Sequence, residues 1–141
     1  MEYTRANIDN ISKETLVDLF STATYGSDWL EITTLKSERN LDDGFTEEYL
    51  QNRCREDRWA DRLLNGGHIV CKDWYDTEEN ESGEDKPTRY IIDLNTLKER
   101  LKLARDKEAV RDWCDFVLEN DDYYTCNNLM QVVMFGEIIY G

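Results

Sequence analysis

Two short runs, HIVCKDWY at residues 68–75 and RYIIDL at 89–94, most constrain what this chain can fold into. Each is rich in β-branched and aromatic residues, the composition that suits a pleated, half-buried surface. The residues between them include no aliphatic or aromatic side chain, and on either side the apolar spacing changes to that of helices. Two strands joined by a polar connection and embedded in helical sequence form an antiparallel hairpin under a helical layer. The expected fold is therefore a single α+β domain over residues 1–141, with four or five helices packed on a small antiparallel sheet. The strands are expected at 68–75, 88–94 and 28–33, with a long, disordered-looking tip on the hairpin.

The helices follow from capping and period. ISKETLVDLFSTATYG predicts a helix capped by Ser12 and stopped by Gly26, with Leu16, Val17, Leu19, Phe20 and Ala23 on its apolar face. In DWLEIT, Leu30 and Ile32 alternate with polar neighbours and supply the third strand. A second helix is expected within LDDGFTEEYLQNRCREDRWADRLLNGG. Thr46 caps it, Glu47 and Glu48 suit its first turn, and Gly66-Gly67 ends it; Tyr49, Leu50, Trp59, Leu63 and Leu64 face inward. After the hairpin Asn95 caps TLKERLKLARDK, whose Leu97, Leu101 and Ala104 share one side. EAVRDWCDFVLEN turns Val110, Trp113, Cys114 and Val117 toward the core. YYTCNNLMQVVMFGEIIYG is the most apolar segment, a buried helix through Leu129, Val132, Val133 and Phe135 followed by a helical or extended EIIYG. A homodimer through this segment is one possibility. Trp59, Trp113, Leu129 and Phe135 are expected to be largely buried.

The second constraint is charge. With 31 acidic and 17 basic residues the net charge is −14, well beyond what solubility requires. Such a surface argues against direct binding to a nucleic-acid backbone and favours a basic partner, such as a nucleic-acid-binding protein. No apolar run is long enough to span a bilayer, and MEYTRANIDN lacks a charged and apolar leader, so the expected location is cytoplasmic. The four cysteines, Cys54, Cys71, Cys114 and Cys126, form no CxxC pair and are expected to be free thiols in a reducing compartment.

Three segments resemble one family. LLNGGHIVCKDWYD, RYIIDLNTLKERLKLA and the closing NNLMQVVMFGEIIYG look like a group of small acidic proteins of phage and mobile elements in Gram-positive gut bacteria. The likeness covers residues 63–141, with a gap across 106–124, and rests on structural rather than chemical motifs. The family carries no established activity, so no functional residue is transferred. What the resemblance implies is context: products of mobile elements are often directed at host defence.

Enzyme chemistry finds little purchase. His68 and Cys71 give H-x-x-C, but zinc sites come as paired ligands at short spacing, and here two ligands would have to arrive singly from distant segments. The same pair is a poor nucleophile and base, because strand alternation sends the two side chains to opposite faces. NGGH lacks the lysine and spacing of a phosphate loop, and Asp42-Asp43-Gly44 lacks the EF-hand pattern. Neither a metal nor a cofactor is expected.

What stands out is acid. Asp76, Glu78, Glu79, Glu81, Glu84 and Asp85 follow one another in the hairpin tip without a positive charge between them. Further acids cluster outside it, at Asp42, Asp43, Glu47 and Glu48 and at Asp121 and Asp122, beside aromatic residues in DWYD and DDYY that suit an interface. The bland interpretation of the tip is a solvated turn. The functional one is a surface imitating a polyanion, the mobile tip steering a basic partner and the ordered carboxylates contacting it. The leading expectation is a non-catalytic inhibitor that blocks a nucleic-acid-binding host defence complex, of anti-CRISPR or anti-restriction type. The alternatives are an adaptor of phage or conjugative machinery whose charge serves solubility, and an enzyme or small-molecule-binding protein with an unmarked pocket.

Overall fold

The computed structural model describes residues 4–42 and 55–141. Among them five α-helices and three strands alternate: α1 (Lys13–Thr24), β1 (Leu30–Thr34), α2 (Arg55–Leu64), β2 (His68–Glu79), β3 (Asp85–Asp93), α3 (Leu94–Leu103), α4 (Val110–Val117) and α5 (Tyr123–Phe135). The sheet is antiparallel in the order β1-β2-β3, and the architecture is α+β. Register explains its two faces. Ile32, Cys71 and Tyr90 stand in one cross-strand row and Ile69 pairs with Ile92, so the side chains of one pleat face pack under the helices.

That face meets a core of Leu16, Leu19 and Phe20 from α1, Trp59 and Leu63 from α2, Leu97 and Leu101 from α3, and Trp113 and Phe116 from α4. α5 runs through the middle, with Leu129, Met130, Val132 and Val133 all buried. Of its large apolar side chains the segment leaves Tyr124, Ile138 and Ile139 exposed. Among the described residues no helix is long and apolar enough to cross a membrane.

Several helix ends follow local chemistry. Ser12 caps α1, its hydroxyl accepting from the Thr15 N–H at 3.1 Å. α3 starts two residues earlier than the sequence predicts. Its cap is Asp93 rather than Asn95, because a carboxylate at the end of β3 reaches the Thr96 N–H at 2.7 Å. α5 is capped by Asp122 and closed by Gly136, whose φ of +81° only glycine holds without strain, under the guanidinium of Arg100.

Other expectations need correction. The inward residues of α4 are Trp113 and Phe116; Val110 and Cys114 are exposed and Val117 is half-buried. A π-turn at Ala104–Glu108 breaks the helix and resets its phase, and the large Phe116 ring then takes the buried position. Leu64, in the last turn of α2, is partly exposed, and Phe135 is half-buried in a cluster of rings. Trp59, Trp113 and Leu129 are buried as expected. Thr46, Tyr49, Leu50 and Cys54 lie outside the described residues.

Candidate functional site

The hairpin is longer than its apolar runs. β2 continues to Glu79 and β3 begins at Asp85, so the acidic stretch is a paired β-ribbon rather than a disordered tip. Pairing persists because Asn80 builds the turn. Its N–H donates to the Glu84 carbonyl (2.8 Å), and its carbonyl accepts from the Gly83 N–H (3.0 Å). Its side-chain oxygen takes the N–H groups of Ser82 (3.1 Å) and Glu84 (2.9 Å) and the Ser82 hydroxyl (2.9 Å). Gly83 supplies the positive φ.

At its root the ribbon is bolted to the core. The register with β3 jumps between Asp73 and Thr77, leaving Trp74, Tyr75 and Asp76 out of the ladder with β3. Each is held in another way. The Trp74 N–H donates to the Trp29 carbonyl (2.9 Å) and its indole N–H to Glu31 (3.0 Å). Tyr75 stacks on Trp29 and meets Tyr140 edge-on. Asp76 accepts the Thr88 hydroxyl through its carbonyl and its carboxylate. Asp73 is 1% exposed, and its carboxylate is satisfied by the Tyr140 hydroxyl (2.6 Å) and the Tyr75 N–H (3.0 Å). Burial and this bond to Asp73 push the Tyr140 hydroxyl well above its ordinary pKa. Tyr140 is itself held by Gln131, whose buried amide accepts from the N–H groups of Ile139 and Tyr140 and donates to the Tyr140 carbonyl.

Beyond the root Glu78 stands opposite Lys86 and Glu79 opposite Asp85. All six ribbon carboxylates, Asp76, Glu78, Glu79, Glu81, Glu84 and Asp85, are exposed. The span 76–80 covers about 13 Å at ~3.3 Å per strand residue, so the six acids, less the charge of Lys86, leave roughly one net negative charge per 2.6 Å, of the same order as the ~1.7 Å of a DNA duplex. Glu79 facing Asp85 is a like-charge pair directly across the ladder, which weakens pairing. Folding alone gives no reason for it.

The other expected acids differ. Asp121 is held inside the chain, 2.6 Å from Arg5 and against the Cys126 thiol, and Asp122 is occupied as the α5 cap. Only the backbone of Asp42 is described, in the 3-10 turn Lys36–Asp42, and Asp43, Glu47 and Glu48 lie outside the described residues.

Catalytic alternatives can be placed as well. His68 is bound by Glu38, which takes its backbone N–H (2.9 Å) and lies 2.7 Å from its ring nitrogen. Cys71 is fully buried, and burial raises its thiol pKa to about 12; burial and then Asp121 push Cys126 up further still. Both are held as thiols, poor nucleophiles. Cys71, Cys114 and Cys126 form no disulfide. Among the described residues no three His, Cys, Asp or Glu side chains converge as a metal site would need.

One feature escapes a reading of the sequence. Between β1 and α2 lies an open cleft of about 440 Å³ lined by Lys36, Arg39, Arg55, Arg58 and Arg62. The signal was present as arginines at 55, 58 and 62, one face of a helix, but it became visible only once β1 was placed beside them. No protein-family model, curated protein or solved structure matches this chain.

Proposed function

We propose that this protein is a non-catalytic inhibitor, a product of a phage or mobile element, that blocks a basic nucleic-acid-binding complex of host defence from within the host cytoplasm. The observation that carries this reading is the ordered acidic ribbon: six exposed carboxylates, at a charge density of the same order as a duplex, on an arm anchored to the core. A paired ribbon presents its charges at fixed spacing, so it can contact a phosphate-binding groove as well as steer toward it. The resemblance of residues 63–141 to acidic proteins of mobile elements supports the same context, and target types of the anti-CRISPR or anti-restriction kind follow from it.

The experiment is a capture from host lysate at low and high salt, followed by binding kinetics on the retained partner. The parent should hold one basic, nuclease-type complex, with retention weakening as salt shortens the Debye length below ~10 Å. Changing the six ribbon acids to Asn and Gln should slow association and, because the arm is ordered, speed dissociation too. If that variant binds like the parent, or capture yields only structural phage components, the mimic reading fails and the adaptor reading replaces it.

A further inference from the structure

We propose that the cleft between β1 and α2 binds a small, multiply charged phosphate ester of nucleotide size. This inference is independent of the ribbon: it concerns the opposite sign of charge and the other end of β2. Its floor is Ile32, Trp59 and Arg62, all buried, and its rim is Lys36, Arg39, Arg55 and Arg58, all exposed. Arg62 is fixed by donating to the Leu35 carbonyl at 2.9 Å, and Arg55 lies over the Trp59 ring at 5.7 Å. Gly67 leaves room for the Arg62 stem, since a Cβ there would meet Leu41 at 2.7 Å and Arg62 at 2.9 Å.

The charge is what needs explaining. Among the described residues some cations elsewhere sit beside carboxylates, as Arg5 does with Asp18 and Asp121, Lys102 with Asp9, and Arg105 with Asp106, while Lys86, Arg89, Lys98, Arg100 and Arg111 make no such pair; the cleft differs in gathering its cations at one rim. Among the described residues none of the four rim cations makes an ion pair. Among the described residues the one acid lining the cleft, Glu31, is taken by the Trp74 indole and Lys72. Like charges gathered at one rim repel, and an anionic ligand relieves that repulsion.

Three arguments narrow the ligand. Arginine forks match phosphate oxygens two at a time, which favours phosphate over a lone carboxylate. Four rim cations balance about two phosphate groups, at roughly −1.5 to −2 charge each. The volume lies within the ~300–1,000 Å³ of small-molecule sites. A long polyanion is disfavoured, because it would leave the cleft and meet a surface of net charge −14. A compact ligand avoids this. Glu31 pairs with Lys72 and Thr34 with Ile69, and the first ribbon acid is Asp76, some 13–23 Å along β2 at ~3.3 Å per residue. That is beyond the ~8–10 Å over which charges are felt in physiological salt.

The test is calorimetric titration of the full chain, in magnesium-free buffer, with ATP, pyrophosphate, inorganic phosphate and a single-stranded oligothymidylate. ATP and pyrophosphate should bind more tightly than inorganic phosphate. Two double variants, Arg39→Ala with Arg58→Ala and Lys36→Ala with Arg55→Ala, should each weaken ATP about tenfold or more, whereas Lys107→Ala with Arg111→Ala, exposed cations elsewhere, should change it by less than about twofold. Thermal melts on all three establish that they are folded. The proposal is overturned if no phosphate ester binds, if both rim variants bind like the parent, or if the control pair loses as much. It is equally overturned if the oligothymidylate binds more tightly than ATP, which would make the cleft a nucleic-acid site.

Discussion

Residues 69–73 and 77–79 belong to the same strand, yet they live in different solvents. In the first, Ile69, Val70, Cys71 and Asp73 are buried, and each pairs on both sides, with β1 and with β3. In the second every side chain is exposed, only β3 is alongside, and the pairing depends on the Asn80 turn. The changeover falls at Asp73, where a buried carboxylate and a ring cluster end the core. The lesson is that stability and charge are separated along one element. The inner half can be damaged only by changing packing, and the outer half can be rewritten in charge with the fold intact.

The largest test of that separation lies inside. Phe116→Ala, at a side chain with no exposure, should cost about 3–5 kcal/mol in a denaturant titration, and half-buried Phe135→Ala distinctly less. Were the two equal, the ring cluster at the ribbon root would be as much core as α4. Next comes the boundary: Tyr140→Phe removes a donor from buried Asp73 and should cost about 1–3 kcal/mol by the same measurement.

A smaller effect concerns the hairpin's exit. Asp93→Ala should cost about 1 kcal/mol as a lost cap. The backbone N–H of Thr96, then its hydroxyl, hold the Asp93 carboxyl below its ordinary range. A depressed carboxylate stabilises the fold above its unfolded pKa of ~4, and that contribution is lost as pH falls through the lower folded value. Parent and variant should therefore converge in acid-unfolding curves, and a constant gap down to the lowest pH would show that the carboxylate's charge is not what caps α3.

The smallest effect is expected at the tip. Neutralising the six ribbon acids should move stability by no more than about 0.5 kcal/mol, with Glu79→Gln alone neutral or slightly favourable because it relieves the pair with Asp85. A large loss would mean that the ribbon is part of the cooperative unit and would erase the contrast between the two halves.

How much of this was legible follows the same boundary. The strands at 68–73 and 89–93 announce themselves by short runs of β-branched and aromatic residues, and the Ser12 cap, Trp59, Trp113 and Leu129 are visible in spacing alone. The ribbon is not, because TEE and DKP carry no apolar alternation; their pairing is inherited from the core register and from one asparagine. Phe116 was missed because period alone allows two neighbouring faces of α4, and a break at Ala109, where φ is −149°, decides between them. Two of the candidate acids, Asp121 and Asp122, were legible as charge but not as occupied charge: whether Asp121 faces solvent or Arg5 depends on residues more than a hundred positions away. The cleft needed the same kind of long-range placement.

The Gln131 clamp has a mechanical consequence. Residues 139 and 140 are held by a side chain rather than by a helix or strand, and they in turn hold Asp73 and Tyr75 at the root of the arm. Replacing Gln131 with an apolar residue would release residues 139 and 140, and with them the donor to a buried carboxylate, without altering one charge of the ribbon. The arm would then swing on a loosened pivot. Stiffness and charge thus become separately adjustable.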